Sequence, residues 1–476
     1  MSAVHLLTVA LIVAAGLPLA FTIVRSAPAA LLLAPLATAL VSTVAVVLML
    51  VFGAGFRSWL ATAFMITWAV CGWRLCRPRW LRRKQPAPPA APSPAGAPWL
   101  AVGVTAGVLA VPFLLVLHPP TSWDAHSIWW LHAGYFTYDA EIARTAMASP
   151  GFAFSHTDYP PLASAPVAAA WTLFGHSYRT AQLVSALTTF SAVAATVVAV
   201  ATAFARSRPW LAWSAGVAVG LATWATGAEY VAAGYADALW SACLVGAAAA
   251  LLLGRDPFVR PALGLVLLTA AVLSKNEGLV AGGILAALVT VRERRGLGRA
   301  WLVWLPVGSG LAWVGLSRLA GSTSDIEQAE PLGNLFGDTA RLTSRLHPTL
   351  DALWETVGPL VAVAVCCSLA GALLVRRRRA ASGTGSDLWI WLLSCGYTAT
   401  LVATYVTGPS DVDWWLGASA DRVTVPIAML ACLSAVSWLL AAVSDRDGPA
   451  GTPERSGESS AGDHPPAAAA YQAAGA

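Results

Sequence analysis

Long apolar runs alternate with short polar breaks along this chain, and the runs are continuous in Ala, Leu and Val. A helix rising 1.5 Å per residue crosses a bilayer in about 20 residues, and the runs repeatedly reach that length. Barrel strands would alternate apolar and polar positions instead. The pattern therefore predicts an all-α, polytopic transmembrane helical bundle. Walking between the polar breaks gives about 13 spans, counting shorter runs that pair as hairpins. Met1–Val24 has no positively charged leading region and is followed by further runs, so it reads as a first transmembrane helix rather than a secretory signal.

Composition sharpens this picture. Of 476 residues, 57% are hydrophobic and only 11% charged, which leaves little for a large soluble domain. The net charge of +5 does not point to nucleic acid, because the basic residues fall in short blocks between apolar runs. These blocks are Arg25, Arg74 to Lys84, Arg206 to Arg208, Arg255 to Arg260, Arg292 to Arg299 and Arg376 to Arg379. The positive-inside rule places each of them in the cytoplasm, with the N-terminus outside and the C-terminus inside; Arg57 disagrees. Residues 77–98 read as a cytoplasmic Pro/Ala-rich linker after a three-span segment, 1–76. Residues 444–476 read as a disordered cytoplasmic tail. The seven cysteines lie in or at the ends of apolar segments without metal-ligand spacing, and read as small buried hydrophobes. No repeat at fixed spacing is evident, which counts against transporter folds built from duplicated halves.

With this orientation the unusual polar residues collect on the outer side. The first long outer loop, His118 to about Pro161, opens with "SWDAHSIWWLHAGYF" and holds Asp124, His126, His132, Asp139, Glu141, His156 and Asp158. Its central stretch predicts an interfacial helix, with Trp123, Trp129 and Trp130 suited to the headgroup layer. Asp124, Ile128 and Tyr135 share a face with His132 nearby, while His126 points away. Thr121 to Asp124 also fits a capping box, which gives Asp124 a purely structural role. His126 and His132 fit interfacial polar positions, since no metal spacing joins them.

The loop closes with "HTDYPPL", where two prolines hold Asp158 and Tyr159 in a defined segment or simply start a helix. Pro161–Phe174 is too short to span and predicts a re-entrant or tilted helix before the full span Tyr178–Ala205. In "GAEYVAAGYADALW", Glu229 and Asp237 stand at the outer ends of two spans, where Asp237 either faces a cavity or caps its helix. The hairpin "LSKNEGL" has arms of only about 13 residues, so its tip, with Lys275 and Glu277, is expected below the outer surface. Charges at that depth line a polar cavity or form a structural ion pair. The last outer loop offers Asp411, Asp413, Asp421 and Arg422. Arg422 opens the final span from outside, which implies an anionic partner, Asp421 being the nearest in sequence.

Taken in order, "WDAHSIWWLHAGYF", "HTDYPPL", "GYADALW", "LSKNEGL" and "SADRVTVP" resemble the GT-C superfamily of polytopic glycosyltransferases, nearest the lipid A aminoarabinose transferases and protein mannosyltransferases. The likeness covers about Trp123 to Pro426; the three N-terminal spans lie outside it, and the soluble C-terminal domain of some relatives is not seen.

The resemblance implies a GT-C-like module over 99–443 in the plasma membrane, with its active site on the extracytoplasmic face. It would move a sugar from a polyprenyl-phosphate donor to a cell-envelope glycan, lipid or protein, inverting the anomeric centre. Asp124 matches the family's acidic residue that takes the acceptor's proton, and Asp158 is a second acid that positions the acceptor or a divalent cation; the family is not uniform about metal use. Lys275 and Arg422 match cations for the lipid phosphate, with Asp237, Glu277, His156 and Tyr159 as further substrate-binding positions. The chemistry fits, since a hydroxyl gains from a positioned carboxylate and a leaving phosphate from cations. The competing reading is a secondary transporter or lipid-linked sugar flippase, whose charges would favour the midplane.

Overall fold

The structure is a computed structural model that describes residues 3–24, 26–76, 120–204, 207–225, 229–253, 260–293, 301–323, 339–378 and 388–444. The linker at 77–98, the apolar run Leu100–Leu117, most of the basic blocks and the tail from 445 onward lie outside the described residues.

Among the described residues the chain is helical and contains no strand, only an isolated bridge between Gly55 and Asp139. The helices in chain order are α1 (Ala3–Val24), α2 (Ala27–Phe52), α3 (Phe56–Cys76), α4 (Trp130–Phe136), α5 (Ala140–Ala148), α6 (Ala165–Phe174), α7 (Tyr178–Ala203), α8 (Pro209–Leu221) and α9 (Glu229–Ala232). They continue with α10 (Asp237–Ala248), α11 (Arg260–Val272), α12 (Asn276–Arg292), α13 (Trp304–Leu319), α14 (Thr339–Arg378), α15 (Leu388–Thr407), α16 (Val412–Val423) and α17 (Val425–Ser444). Among the described residues, eight helical segments are long and apolar enough to cross a membrane, which is the pattern of a multi-pass membrane protein.

Local chemistry sets the helix starts. Asp139 accepts from Ile142 N at 2.9 Å to cap α5, Ser177 caps α7 through Thr180 N, and Asp411 caps α16 through Trp414 N at 3.0 Å. Two acids of the outer loops are thereby used as caps. Short helices are tolerated where they are wrapped by others: Ala165 to Trp171 of α6 is buried throughout, as expected for a segment too short to span. The full span after it ends at Ala203.

Small residues let the helices approach. The core is dominated by Ala, Val and Leu from α2, α7, α10 and α17. Ser191 of α7 ties α2 into this core, donating to Leu32 O at 2.6 Å while its oxygen accepts from Leu36 N at 3.1 Å. The N-terminal helices also grip the first loop: Phe56 N donates to Tyr138 O at 2.9 Å, and the Arg144 guanidinium bonds Leu50 O.

Not all cysteines are buried. Cys71 and Cys243 are, but Cys76, Cys366 and Cys395 are exposed on helix surfaces, where an apolar thiol is compatible with lipid.

Candidate functional site

The first loop does not start as a capping box. The chain is already helical at Trp123 and Asp124, and Ala125–Trp129 forms a π-helical turn that leads into α4. Asp124 has helical backbone angles, and its carboxylate turns away from the helix start to accept from the Arg422 guanidinium. The extra residue of a π turn rotates everything after it relative to an ideal helical wheel. It sends Trp129 and Trp130 inward: both are buried, and Trp123 alone of the three is exposed. Trp129 stacks on Tyr159, with centroids 5.4 Å apart and planes 12° apart, and Trp130 donates to Ser185 Oγ at 3.1 Å. The expected interfacial tryptophan cluster is thus mainly a packing device.

Two ion pairs form the centre of the site. Arg422, in the last turn of α16, pairs with Asp124 and not with Asp421, whose carboxylate instead accepts from Tyr230 OH at 3.0 Å. The guanidinium also lies over the Tyr235 ring, 5.0 Å from its centroid. Lys275, extended at the tip between α11 and α12, donates to Asp237 Oδ1 at 2.8 Å and lies 3.1 Å from Glu277 Oε1. Lys275 and Asp237 are buried, so Asp237 is neither a helix cap nor exposed to water; Ala236 holds the cap position. Asp237 and Arg422 are close enough to act on each other electrostatically, so the two pairs are neighbours.

Around this cluster the closing segment of the loop is locked in place. Leu162 N donates to Leu273 O at 2.9 Å, stitching "HTDYPPL" to the "LSKNEGL" tip. Asn276 Nδ2 donates to Asp158 Oδ2 at 2.6 Å, and Trp313 Nε1 donates to Asp158 O at 2.8 Å. The prolines do not start α6, which begins at Ala165 with Pro166 in its first turn. They hold Tyr159 stacked between His156 and Trp129, with Lys275 Nζ 5.8 Å from its ring centroid. His156 itself takes a left-handed backbone, φ 53°, which reverses the chain into this segment.

Glycines allow the approach of the remaining elements. Gly234 has φ 94°, and a Cβ there would lie 2.7 Å from the Trp130 ring and 3.0 Å from Ala125 Cβ, so the loop leading to Asp237 can lie on the π turn only without a side chain. Gly278 packs in the same way against the backbone of Ala271, closing α12 on α11.

Several residues of the site were not singled out by sequence: Asn276, Tyr235, Tyr230, Trp313, Tyr397 and Tyr405. Tyr397 OH donates to Val423 O at 3.0 Å and Tyr405 OH lies 2.7 Å from Ser419 Oγ, so both tyrosines brace α16 and its junction with α17. Glu229 stands in α9, but its side chain is outside the described residues. His126 faces away from the ion pairs, bonding Pro120 O at 2.8 Å. His132 is fully buried, 3.2 Å from Ser155 Oγ, and burial pushes its pKa down to about 3. Tyr235 is shifted upward, mainly by burial.

Oxygen donors for a metal do not converge. Among the described residues no three His, Cys, Asp or Glu side chains form a metal-holding group, and the nearest acids are already neutralised by Arg422 and Lys275. The described donor set therefore does not by itself make a divalent-cation site.

No protein-family model, curated protein or solved structure matches this chain.

Proposed function

We propose that the chain is an integral-membrane glycosyltransferase of GT-C type that takes a sugar from a polyprenyl-phosphate carrier and transfers it to an extracytoplasmic cell-envelope acceptor. The observation that carries this reading is the pairing of two cations, buried Lys275 and partly buried Arg422, with the carboxylates Asp237 and Asp124 beside the aromatic first loop. Burying charge is costly unless it is paired or used, so such a cluster is favoured where an ionic ligand must be held.

The topology supports the same reading. Arg74 and Arg292 stand at the C-terminal ends of α3 and α12, whereas the cluster gathers at the N-terminal ends of α10, α12 and α17. Basic residues at the far ends of these helices fit a cytoplasmic side opposite the site. Thirteen spans follow if α1, α2, α3, α7, α8, α10 to α15 and α17 are joined by the apolar run Leu100–Leu117.

The residues then divide the chemistry. The donor's phosphate is drawn to Lys275 and Arg422, and in engaging Arg422 it displaces Asp124 from the guanidinium. The freed carboxylate accepts the proton of the acceptor hydroxyl as its oxygen bonds to the anomeric carbon. The carbon–oxygen bond to phosphate breaks, and the lipid phosphate leaves with the electron pair, its charge met by the two cations. Asp237 and Glu277 keep Lys275 in place, and Asp158 fixes the loop to the hairpin.

Mass spectrometry of lipid-linked sugars and envelope glycans in a deletion strain tests this. A sugar should disappear from the envelope while its polyprenyl-phosphate form accumulates, and wild type but not Asp124→Asn should restore it. Unchanged pools would overturn the reading. A donor confined to the inner leaflet would point to lipid-linked sugar transport instead.

A further inference from the structure

The π turn presents two faces. Asp124 and Trp129 look toward the ion pairs, whereas His126 and Trp130 look into a separate cleft of about 410 Å³ between α4, α5, α6 and the start of α7. That volume lies within the range of small-molecule sites, about 300 to 1,000 Å³. Its walls are built from the rings of His126, Trp130, Tyr138, Trp171, His176 and Tyr178.

Three features define what fits there. No Asp, Glu, Lys or Arg lines the cleft, so it offers nothing to a phosphate or to any charged group. The rings are held before a ligand arrives: Trp171 Nε1 donates to Ser177 O at 2.9 Å and Trp130 Nε1 to Ser185 Oγ, which leaves both indoles presenting carbon surface. His176 stacks on Trp171 at 4.7 Å and His126 packs against Tyr178 at 4.4 Å between centroids, while Tyr138 and Tyr178 are each more than half exposed at the rim.

A hydrocarbon chain would use the ring faces and the Leu131, Ile142 and Phe152 side chains but offer nothing to Tyr135, a lining residue whose buried hydroxyl has no hydrogen-bond partner, and such a group is costly to leave without a bond. A pyranose or furanose ring uses both, its C–H face against aromatic carbon and its hydroxyls toward the polar ring edges. His126 follows Asp124 by two residues on the same turn, so the cleft and the ion pairs occupy opposite faces of one short segment.

We propose that the cleft is a binding site for an uncharged sugar unit of the acceptor. This inference rests on the transferase reading for the word acceptor alone; binding of a neutral saccharide stands on the cleft itself.

The test uses the purified full-length protein in nanodiscs and saturation-transfer difference NMR with neutral oligosaccharides of glucose, galactose, mannose and arabinose. At least one should receive saturation at its ring C–H protons. Tyr178→Ala and His176→Ala, both at the exposed rim, should reduce that signal by roughly fivefold or more, and Trp414→Ala, exposed on α16, should leave it intact. No transfer to any of these saccharides, or transfer insensitive to both rim variants, would overturn the proposal. Saturation of farnesol, lost in the same variants, would overturn it in favour of an isoprenoid site. Saccharide binding that persists while no lipid-linked donor is turned over would leave the cleft standing and remove the transferase. Turnover without saccharide binding would do the reverse.

Discussion

Arg422 Nη1 donates to Asp124 Oδ2 across 298 residues of sequence, closing the first loop onto the entrance of the last helix. The pair does two jobs that separate by mutation. It is a structural clasp, and it stores a carboxylate beside a cation that a phosphate can recruit.

Asp124→Asn keeps the size and the acceptor oxygen, so the loop should stay folded while transfer falls roughly 10²-fold or more, as expected on losing a general base. Swapping the pair, with Asp124→Arg and Arg422→Asp together, should recover thermal stability relative to either single change but not turnover. Activity within a few-fold of wild type in Asp124→Asn would remove Asp124 as the base.

Asp158 behaves differently. Its Oδ2 accepts from Asn276, and Asn retains an acceptor oxygen, so Asp158→Asn should keep activity within about threefold, whereas Asp158→Ala should lower the melting temperature by removing the tie, worth on the order of 1 kcal/mol. A 10²-fold loss in Asp158→Asn with normal stability would make it a second catalytic acid.

Lys275 and Asp237 form a buried pair, so removing one partner should be worse than removing both. Asp237→Leu alone should cost about 3 to 5 kcal/mol by stranding the ammonium with Glu277, and Lys275→Met should relieve much of that in the double variant. Thermal unfolding of the four proteins in detergent gives the coupling. Donor titration of Lys275→Met should show weakened binding; an unaltered titration leaves Lys275 a structural ion only.

His132 supplies a pH dependence. Buried and neutral with its pKa pushed down to about 3, it binds no proton in the folded state across the range where an unfolded histidine, near 6.5, does. Its contribution is present in full above about pH 6.5 and is lost as pH falls toward 3, at up to about 1.4 kcal/mol per pH unit. His132→Gln should flatten the fall in melting temperature between pH 6.5 and 5. An unchanged slope would assign the acid sensitivity to other groups.

Orientation is open to direct labelling. Cysteines placed at Ser149 and Ser410 in a protein lacking its seven native cysteines should react with an impermeant thiol reagent in intact cells. Labelling only after lysis would invert the topology and remove an extracytoplasmic site.

Sequence by itself determined the class of structure. Apolar runs about 20 residues long have no stable form in lipid except helices that bond their own backbone, so α1, α2, α3 and α7 were legible as elements whatever their packing. The residues of interest were legible too, because Lys275 and Asp237 are charges at or below the edge of hydrocarbon, Asp124 follows an apolar run, and Arg422 is a cation on the outer side. Their partners were not. A local reading offered Asp421 as the partner of Arg422 and the helix start as one role of Asp124, since sequence ranks neighbours by separation along the chain. Tertiary packing ranks them by distance through space, and it put Arg422 on Asp124, Lys275 on Asp237 and Asn276 on Asp158. The π turn shows the same division: one extra residue in a helical turn leaves no mark in the hydrophobic pattern, yet it moved Trp129 and Trp130 from the expected interface into the core and opened the cleft beside His126. A long apolar helix is dictated by the solvent around it, whereas an ion pair between distant segments exists only once the bundle has brought its members together.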